Sequence, residues 1–280
     1  MAGLDPNHSA VPLISGAFAG FTVDIALFPI DTIKTRLQAK EGFLKSGGFR
    51  GIYRGLGSAA AGSIPAASAF FYAYDTAKKS FSNVITDDVA LHSAAGCVAE
   101  TFACAIRIPF EVVKQTAQAN PRLSSNESMY RILNAAGFRG LFRGYFSMVF
   151  RDVPFSILQM PMWEFFKSRV RKYNLSSTGS SDISGLQSGA CGSLSGGIAA
   201  AITTPMDVVK TRIILSQKYT QVQRYSENPV KVMLQIAREE GAGKLYSGIA
   251  PRVVWLSAGG FLFFGSYEFC RNMVTIYDII

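Results

Sequence analysis

One eight-residue pattern occurs three times in this chain and limits what the chain can fold into. Pro29-Ile30-Asp31-Thr32-Ile33-Lys34-Thr35-Arg36 returns as Pro109-Phe110-Glu111-Val112-Val113-Lys114-Gln115-Thr116, and again as Pro205-Met206-Asp207-Val208-Val209-Lys210-Thr211-Arg212. Each copy places an acid two residues after a proline and a lysine three residues after the acid. One such match would be weak, because these residue types are common. Three in register are an internal triplication, which takes precedence over any local signal.

The register extends past the proline. Upstream lie Gly16/Gly20, Gly96/Glu100 and Gly192/Gly196. Residues four apart share a helix face, and small ones there let a neighbouring backbone come close. Downstream each copy has a glycine-aromatic-glycine element: Gly48 to Tyr53 and Gly55, Gly137 to Phe142 and Gly144, Gly241 to Tyr246 and Gly248. An aromatic-acid pair with a following base closes each copy: Tyr74-Asp75 with Lys78, Trp163-Glu164 with Lys167, and Tyr267-Glu268 with Arg271.

These landmarks, in order and three times over, resemble the mitochondrial carrier family. Its repeat runs Pro-x-[Asp/Glu]-x-x-[Lys/Arg]-x-[Lys/Arg] and then a glycine-aromatic-glycine element. The likeness covers residues 11–272. It implies an all-α membrane protein with six transmembrane helices in three pseudo-symmetric two-helix repeats, each with a short amphipathic helix on the inner side. The repeats would occupy 1–85, 86–180 and 181–280. It also implies a transporter of the mitochondrial inner membrane rather than an enzyme, with no cofactor, no metal and no catalytic residues.

Composition alone is less decisive. The 280 residues carry a net charge of +9 with 49% hydrophobic residues, and the mean hydropathy is +0.20. A basic chain could serve nucleic acid, anionic lipid or an acidic substrate; the triplication favours lipid and a small solute over nucleic acid. Cys97, Cys104, Cys191 and Cys270 show no ligand spacing and read as reduced and structural. His8 and His92 stand apart from any cluster. No basic-then-apolar leader is present, which fits an internal membrane reached without a cleaved signal as well as the cytosol.

Six segments, near 11–37, 56–78, 89–117, 145–169, 186–213 and 249–272, reach the ~20 residues a bilayer crossing takes. Most carry charge, including Asp24, Glu100, Arg107, Arg151, Asp152 and Arg252. A soluble helical bundle would satisfy hydropathy alone. Lining a water-filled path also accounts for such charges, because intramembrane charges face inward. Basic residues such as Lys40, Arg50, Arg122, Arg139, Lys231 and Lys244 fall in the long connectors within each repeat. Positive charge is retained on the inner side, so both termini are expected outside. Each connector holds an amphipathic piece, such as Pro229–Glu239. Gly55, Gly144 and Gly248 precede helix starts, where free N–H groups suit an anionic headgroup. The resemblance implies cardiolipin there.

A proline inside a helix removes a hydrogen bond and bends it. Bends at Pro29, Pro109 and Pro205 would bring the odd-numbered spans together. Asp31, Glu111 and Asp207 could then pair in a ring with Lys34, Lys114 and Lys210, as an inner gate braced by Gln38 and Gln118. Ile214 occupies the third amide position, so the brace is expected to be two-fold. Thr116 replaces the second base of the middle copy. At the outer end Tyr74, Asp75, Lys78, Glu164, Lys167, Tyr267, Glu268 and Arg271 would form a second gate. Trp163 cannot supply the phenolic hydrogen bond of a tyrosine there. Solvated pairs contribute only about 0–1 kcal/mol each, which would let ligand binding shift the gates.

Repeated residues build a path, and unrepeated ones select what moves through it. Asp24 is unique to its copy, as is the pair Arg151-Asp152. Glu100, Cys104 and Arg107 are spaced by four and three and share a helix face. Charges of both signs at mid-depth suggest a zwitterionic ligand. An arginine fork grips a carboxylate and an aspartate accepts from an ammonium group, which together suit an α-amino acid. Phe71, Phe155 and Trp255 are candidates for stacking a flat ring, and Gly62 stands in the first copy at the position held by Arg151 and Trp255 in the others. Within the family the likeness is strongest to the branch that carries S-adenosylmethionine, through residues 28–39 and 47–55 and Arg151-Asp152-Val153-Pro154-Phe155, although that branch usually has glutamate in place of Asp152. It implies exchange of cytosolic S-adenosylmethionine for matrix S-adenosylhomocysteine, with Asp24 and Glu100 offsetting the sulfonium. Other expectations remain: a carrier of a different amino acid or a nucleotide, a methyltransferase of the same ligand, or a proton-leak or signalling protein on the carrier scaffold.

Overall fold

Three long helices carry the repeated prolines, and the rest of the structure is arranged around them. In the computed structural model, residues 6–82, 84, 85, 87–120, 122–178, 183–216, 225–259 and 262 are described. The elements are α1 (Pro6–Gln38), α2 (Gly42–Lys45), α3 (Leu56–Phe81), α4 (Asp88–Ala119), α5 (Ser125–Leu141), α6 (Tyr145–Thr178), α7 (Gly185–Leu215), α8 (Pro229–Glu239) and a 3-10 turn, Ala242–Tyr246. A last helix, α9, is described over residues 249–259. Among the described residues there is no strand. The proline-bearing helices α1, α4 and α7 touch one another, α3 packs on α4, and α6 packs on both α4 and α7.

Local chemistry sets the helix starts. Asp87 accepts from the Ala90 N–H at 2.8 Å to begin α4. Ser124 and Glu127 close a capping box at α5, and Ser184 and Gln187 do the same at α7. The Ser124 hydrogen bonds hold the Glu127 carboxyl below its ordinary range. Asn228 accepts from Val230 and Lys231, and Pro229 sits in the first turn of α8, where its missing N–H costs nothing.

The short helices within the repeats are not equal. Helix α8 has 11 residues and α5 spans 17 with a break at Gly137 (φ 62°), whereas α2 has only 4. The expected amphipathic helix of the first repeat is thus a single turn. Gly47, Gly48 and Gly51 take φ of 105°, 56° and 60°, which ends helical continuation across that connector. In α8, Val232 and Ile236 are one turn apart and fully buried against Val208, Val209 and Ile213 of α7. Each such side chain contributes about 1.5–3 kcal/mol.

The three repeats interlock head to tail through one glycine each. Gly55 lies on the Lys114 backbone of α4, Gly144 on Ile214 of α7, and Gly248 on Gln38 and the Lys34 carbonyl of α1. At Gly55 φ is 94°, and an added Cβ would stand 2.9 Å from the Lys114 carbonyl oxygen. Gly55→Ala is expected to destabilise by about 2 kcal/mol or more, since strained φ and a backbone clash add. Gly42→Ala also has a left-handed φ, 77°, but meets nothing within 4 Å. Thermal unfolding of the two variants in detergent should therefore rank Gly55→Ala clearly lower.

Helices α1, α3, α4, α6 and α7 run from 26 to 34 residues, roughly 40–50 Å at 1.5 Å per residue. No helix among the described residues is long and apolar enough to cross a membrane. Length is not the shortfall: α4 alone carries Glu100, Arg107, Glu111 and Lys114 along one rod.

Candidate functional site

Where α1, α4 and α7 meet, three acids and three lysines close a circuit. Lys114 Nζ lies 2.7 Å from Asp31, Lys210 Nζ 3.0 Å from Glu111, and Lys34 Nζ 2.8 Å from Asp207. Every lysine reaches the acid of another repeat. The amide brace follows the sequence departures. Gln118 donates to Asp31 at 3.0 Å and Gln38 to Asp207 at 2.7 Å, whereas Ile214 is apolar and fully buried. Thr35 and Thr211 donate to the amide oxygens of Gln118 and Gln38. The middle copy has Gln115 instead, which donates to its own Glu111 at 2.8 Å.

Asp207 and Lys210 depart from the expectation of solvated, individually weak pairs. They are each only 1–2% exposed. Removing one partner of a buried pair strands a charge and costs about 3–5 kcal/mol, far more than a surface pair returns. Burial is uneven around the ring, since the side chains of Asp31, Lys34, Glu111 and Lys114 keep 15–18% exposure.

The missing base at Thr116 has a substitute that repeat matching does not reveal. Arg36 Nε donates to the Gln118 carbonyl at 2.8 Å, and Arg212 Nε donates to the Gln38 carbonyl at 2.6 Å. Each caps the C-terminal end of another repeat's helix, where unpaired carbonyls and the helix dipole favour a cation. At the third junction Arg143, from the glycine-aromatic-glycine element, donates to Ile213 O at 3.0 Å and to Tyr225 O at 2.9 Å. Burial raises the nearby Tyr225 phenol above its ordinary value.

Next to the ring, toward the middle of the helices, lies the unrepeated charge. The Arg107 guanidinium sits between Glu100, 2.6 Å away, and Asp152, which it contacts directly. Cys104, one turn from each on α4, donates from Sγ to Asp152 at 3.3 Å. Arg151 Nε is 2.6 Å from Asp152 and 3.5 Å from Asp207. Arg252 of α9 approaches Asp207 at 2.8 Å and donates to Thr203 at 2.8 Å. A string of alternating charges thus runs from Glu100 to the ring, with Asp207 common to both. Several contacts within it are close but misaligned. Arg151 Nε, Asp152 Oδ1, Arg107 Nε, and Arg252 Nε and Nη1 are buried without an aligned hydrogen bond. Buried polar groups are normally satisfied, so this cluster retains capacity for a polar ligand. Glu100, Cys104 and Asp152 are close enough to share a metal ion, but the Arg107 guanidinium already supplies the positive charge among them.

The other expected site residues differ in exposure, and Asp24 stands within electrostatic reach of Lys114 and Asp31 of the ring. Asp24 is exposed, and Phe155 and Trp255 are half-buried. Phe71 is 65% exposed and meets Phe70 edge-on. Gly62 is buried against Phe110, where an added Cβ would come within 2.7 Å, so it serves close packing of α3 on α4. At the outer end Asp75 is exposed and makes no ion pair among the described residues. Glu164 pairs with Lys167 at 2.7 Å along its own helix rather than across repeats. The Tyr74 hydroxyl meets His92 of α4 instead of a gate carboxylate. Tyr267, Glu268 and Arg271 lie outside the described residues.

Arg252 and Arg143 carry roles that the repeat comparison did not assign. Arg252 stands out in the sequence as the charge of the sixth segment, but only the fold brings it to Asp207. Arg143 has no equivalent in the proline motif.

The family model described as "Mitochondrial carrier protein" matches residues 5–43, 42–84, 86–174 and 181–278. A mitochondrial S-adenosylmethionine carrier protein of Danio rerio is 45% identical over 274 residues, 96% of this chain and 99% of that protein. The protein of that name from Mus musculus is 42% identical, covering 97% of each chain. An S-adenosylmethionine mitochondrial carrier protein homolog of Drosophila melanogaster is 43% identical, over 94% of this chain and 92% of its own.

Proposed function

Since this chain belongs to the mitochondrial carrier family and is a transporter rather than an enzyme, we propose that it exchanges cytosolic S-adenosylmethionine for matrix S-adenosylhomocysteine across the mitochondrial inner membrane. The observation that carries the reading is the under-bonded cluster of Arg151, Asp152 and Arg107 beside the ring. Arg151 takes the substrate carboxylate and Asp152 its ammonium group, each giving up a misaligned contact for an aligned one. Glu100 offsets the sulfonium, and Asp24 adds negative charge along the path.

Six spans in three repeats, 1–85, 86–180 and 181–280, give the path its symmetry. Their charges face the path, which reconciles the modest apolarity of the helices with a membrane setting. The lysine–acid ring is the inner gate and the aromatic-acid set the outer gate. Asp207 links site and gate. A ligand that draws Arg151 toward its carboxylate weakens one of the contacts holding Asp207, and binding thereby biases the equilibrium between access states. Cardiolipin headgroups at Gly55, Gly144 and Gly248 tie the repeats to the inner leaflet.

The test is uptake of radiolabelled S-adenosylmethionine into liposomes containing the purified protein. Uptake should require internal S-adenosylhomocysteine and be inhibited by either compound outside. Absence of uptake by correctly inserted protein would leave the family intact and turn the substrate search to lysine, arginine and nucleotides.

A further inference from the structure

A cavity of about 320 Å³ opens between α6, α7 and α9, away from the Arg151–Asp152 cluster. Its walls include Gln159, Met160 and Trp163 of α6, Gly192 and Ser193 of α7, and Leu256 of α9. We infer that this cavity is the subsite for the adenine ring of the substrate, separate from the cluster that holds the amino-acid head. The inference rests on the proposed S-adenosylmethionine reading.

Helical register places the two sites on one track. Asp152 and Gln159 are seven residues apart, two turns along a shared face of α6, or about 10 Å at 1.5 Å per residue. That spacing suits a ligand whose amino-acid head and base are joined through a sulfur-linked ribose. Small residues on α7 make the room. A Cβ at Gly192 would lie 3.7 Å from Trp163 Nε1, and one at Gly196 would lie 3.4 Å from the Gln159 amide nitrogen. The indole is fixed before any ligand arrives: Nε1 donates to the Ser188 carbonyl at 3.2 Å, and Lys167 Nζ stands 4.0 Å over the ring.

The polar groups suit a base. Ser193 is 5% exposed, and its hydroxyl is buried without a hydrogen-bond partner. Such a group is uncommon unless something satisfies it. A hydroxyl donates or accepts, and the Gln159 amide offers both functions. Together they can pair with the exocyclic amino group and a ring nitrogen of a purine. Met160, Leu256 and the indole present an apolar, flat-sided remainder. A cavity of this size is at the lower end for small-molecule pockets, enough for a base but not for a nucleoside triphosphate.

The test is labelled S-adenosylmethionine exchange in proteoliposomes, with adenosine and S-methylmethionine as separate inhibitors. Adenosine carries the base without the amino-acid head, and S-methylmethionine carries the head and sulfonium without the base. Wild type should be inhibited by both. Gly192→Leu fills the cavity, and Gln159→Leu keeps its shape while removing the amide. Each is expected to raise KM at least ten-fold and to abolish adenosine inhibition while leaving S-methylmethionine inhibition unchanged. If Gly192→Leu does not insert, Gln159→Leu carries the test. Normal S-adenosylmethionine exchange without adenosine inhibition of wild type, or with the same adenosine inhibition in a variant, would overturn the subsite and leave the substrate reading standing. No S-adenosylmethionine exchange by the wild type would overturn both.

Discussion

Arg151→Ala is expected to lower S-adenosylmethionine exchange by at least about thirty-fold, with the protein still folded. Arg151 is the side chain in the cluster whose charge is shared between the substrate cluster and Asp207, and its Nε lacks an aligned hydrogen bond. Truncating one member of a buried charged set costs about 2–5 kcal/mol in binding, much of it from the partner left unpaired. At 1.4 kcal/mol per decade that is roughly thirty- to several-thousand-fold. Folding should survive, because Asp152 keeps Arg107 and Asp207 keeps Lys34 and Arg252. Arg151→Lys retains the charge but loses the planar fork, so it should fall between the two. The measurement is initial exchange rate in proteoliposomes against substrate concentration, alongside thermal stability of the same preparations. Wild-type exchange in Arg151→Ala would remove the arginine from the site.

Asp207→Ala should have the opposite profile, with stability lost before transport can be assayed. Asp207 is 1% exposed and sits among Lys34, Arg252, Arg151 and the Gln38 amide. Its loss strands Arg252, itself only 2% exposed, and takes a partner from the partly exposed Lys34 and Arg151. About 3–5 kcal/mol is the usual cost, a large fraction of what holds a domain together. The variant should accumulate poorly and unfold at a much lower temperature in detergent. Asp75→Ala removes an acid at the other end of the repeat, but that acid is exposed and unpaired among the described residues. Its effect should stay within about 0.5 kcal/mol. Similar stability in the two variants would show that the ring contributes nothing through burial.

Much of this could be read from repetition. The proline motif located α1, α4 and α7, and its acid-to-lysine spacing made a closed circuit sterically natural. Comparing copies position by position also exposed the exception at Ile214, and with it a two-fold brace. What repetition missed are interactions that only one copy makes. Arg143 caps α7 because Thr116 cannot, and no spacing rule links those two positions. His92 takes the Tyr74 hydroxyl because α3 and α4 lie side by side. Repeat position and turn spacing single out Trp255 and Phe155 as flat-ring candidates, but neither reports exposure. Phe71 proves exposed, and the cavity forms instead where glycines on α7 leave space beside Trp163.

The sequence by itself determined the number of repeats, the helices that bear the prolines, the ring's membership and the residues in which the copies differ. Those are properties of order and spacing along the chain. Tertiary structure alone decided how strong the ring is, because burial turns weak surface pairs into costly ones to break. It also decided that Asp207 belongs to both ring and substrate cluster, since that depends on α6 and α9 converging on α7 from distant parts of the chain.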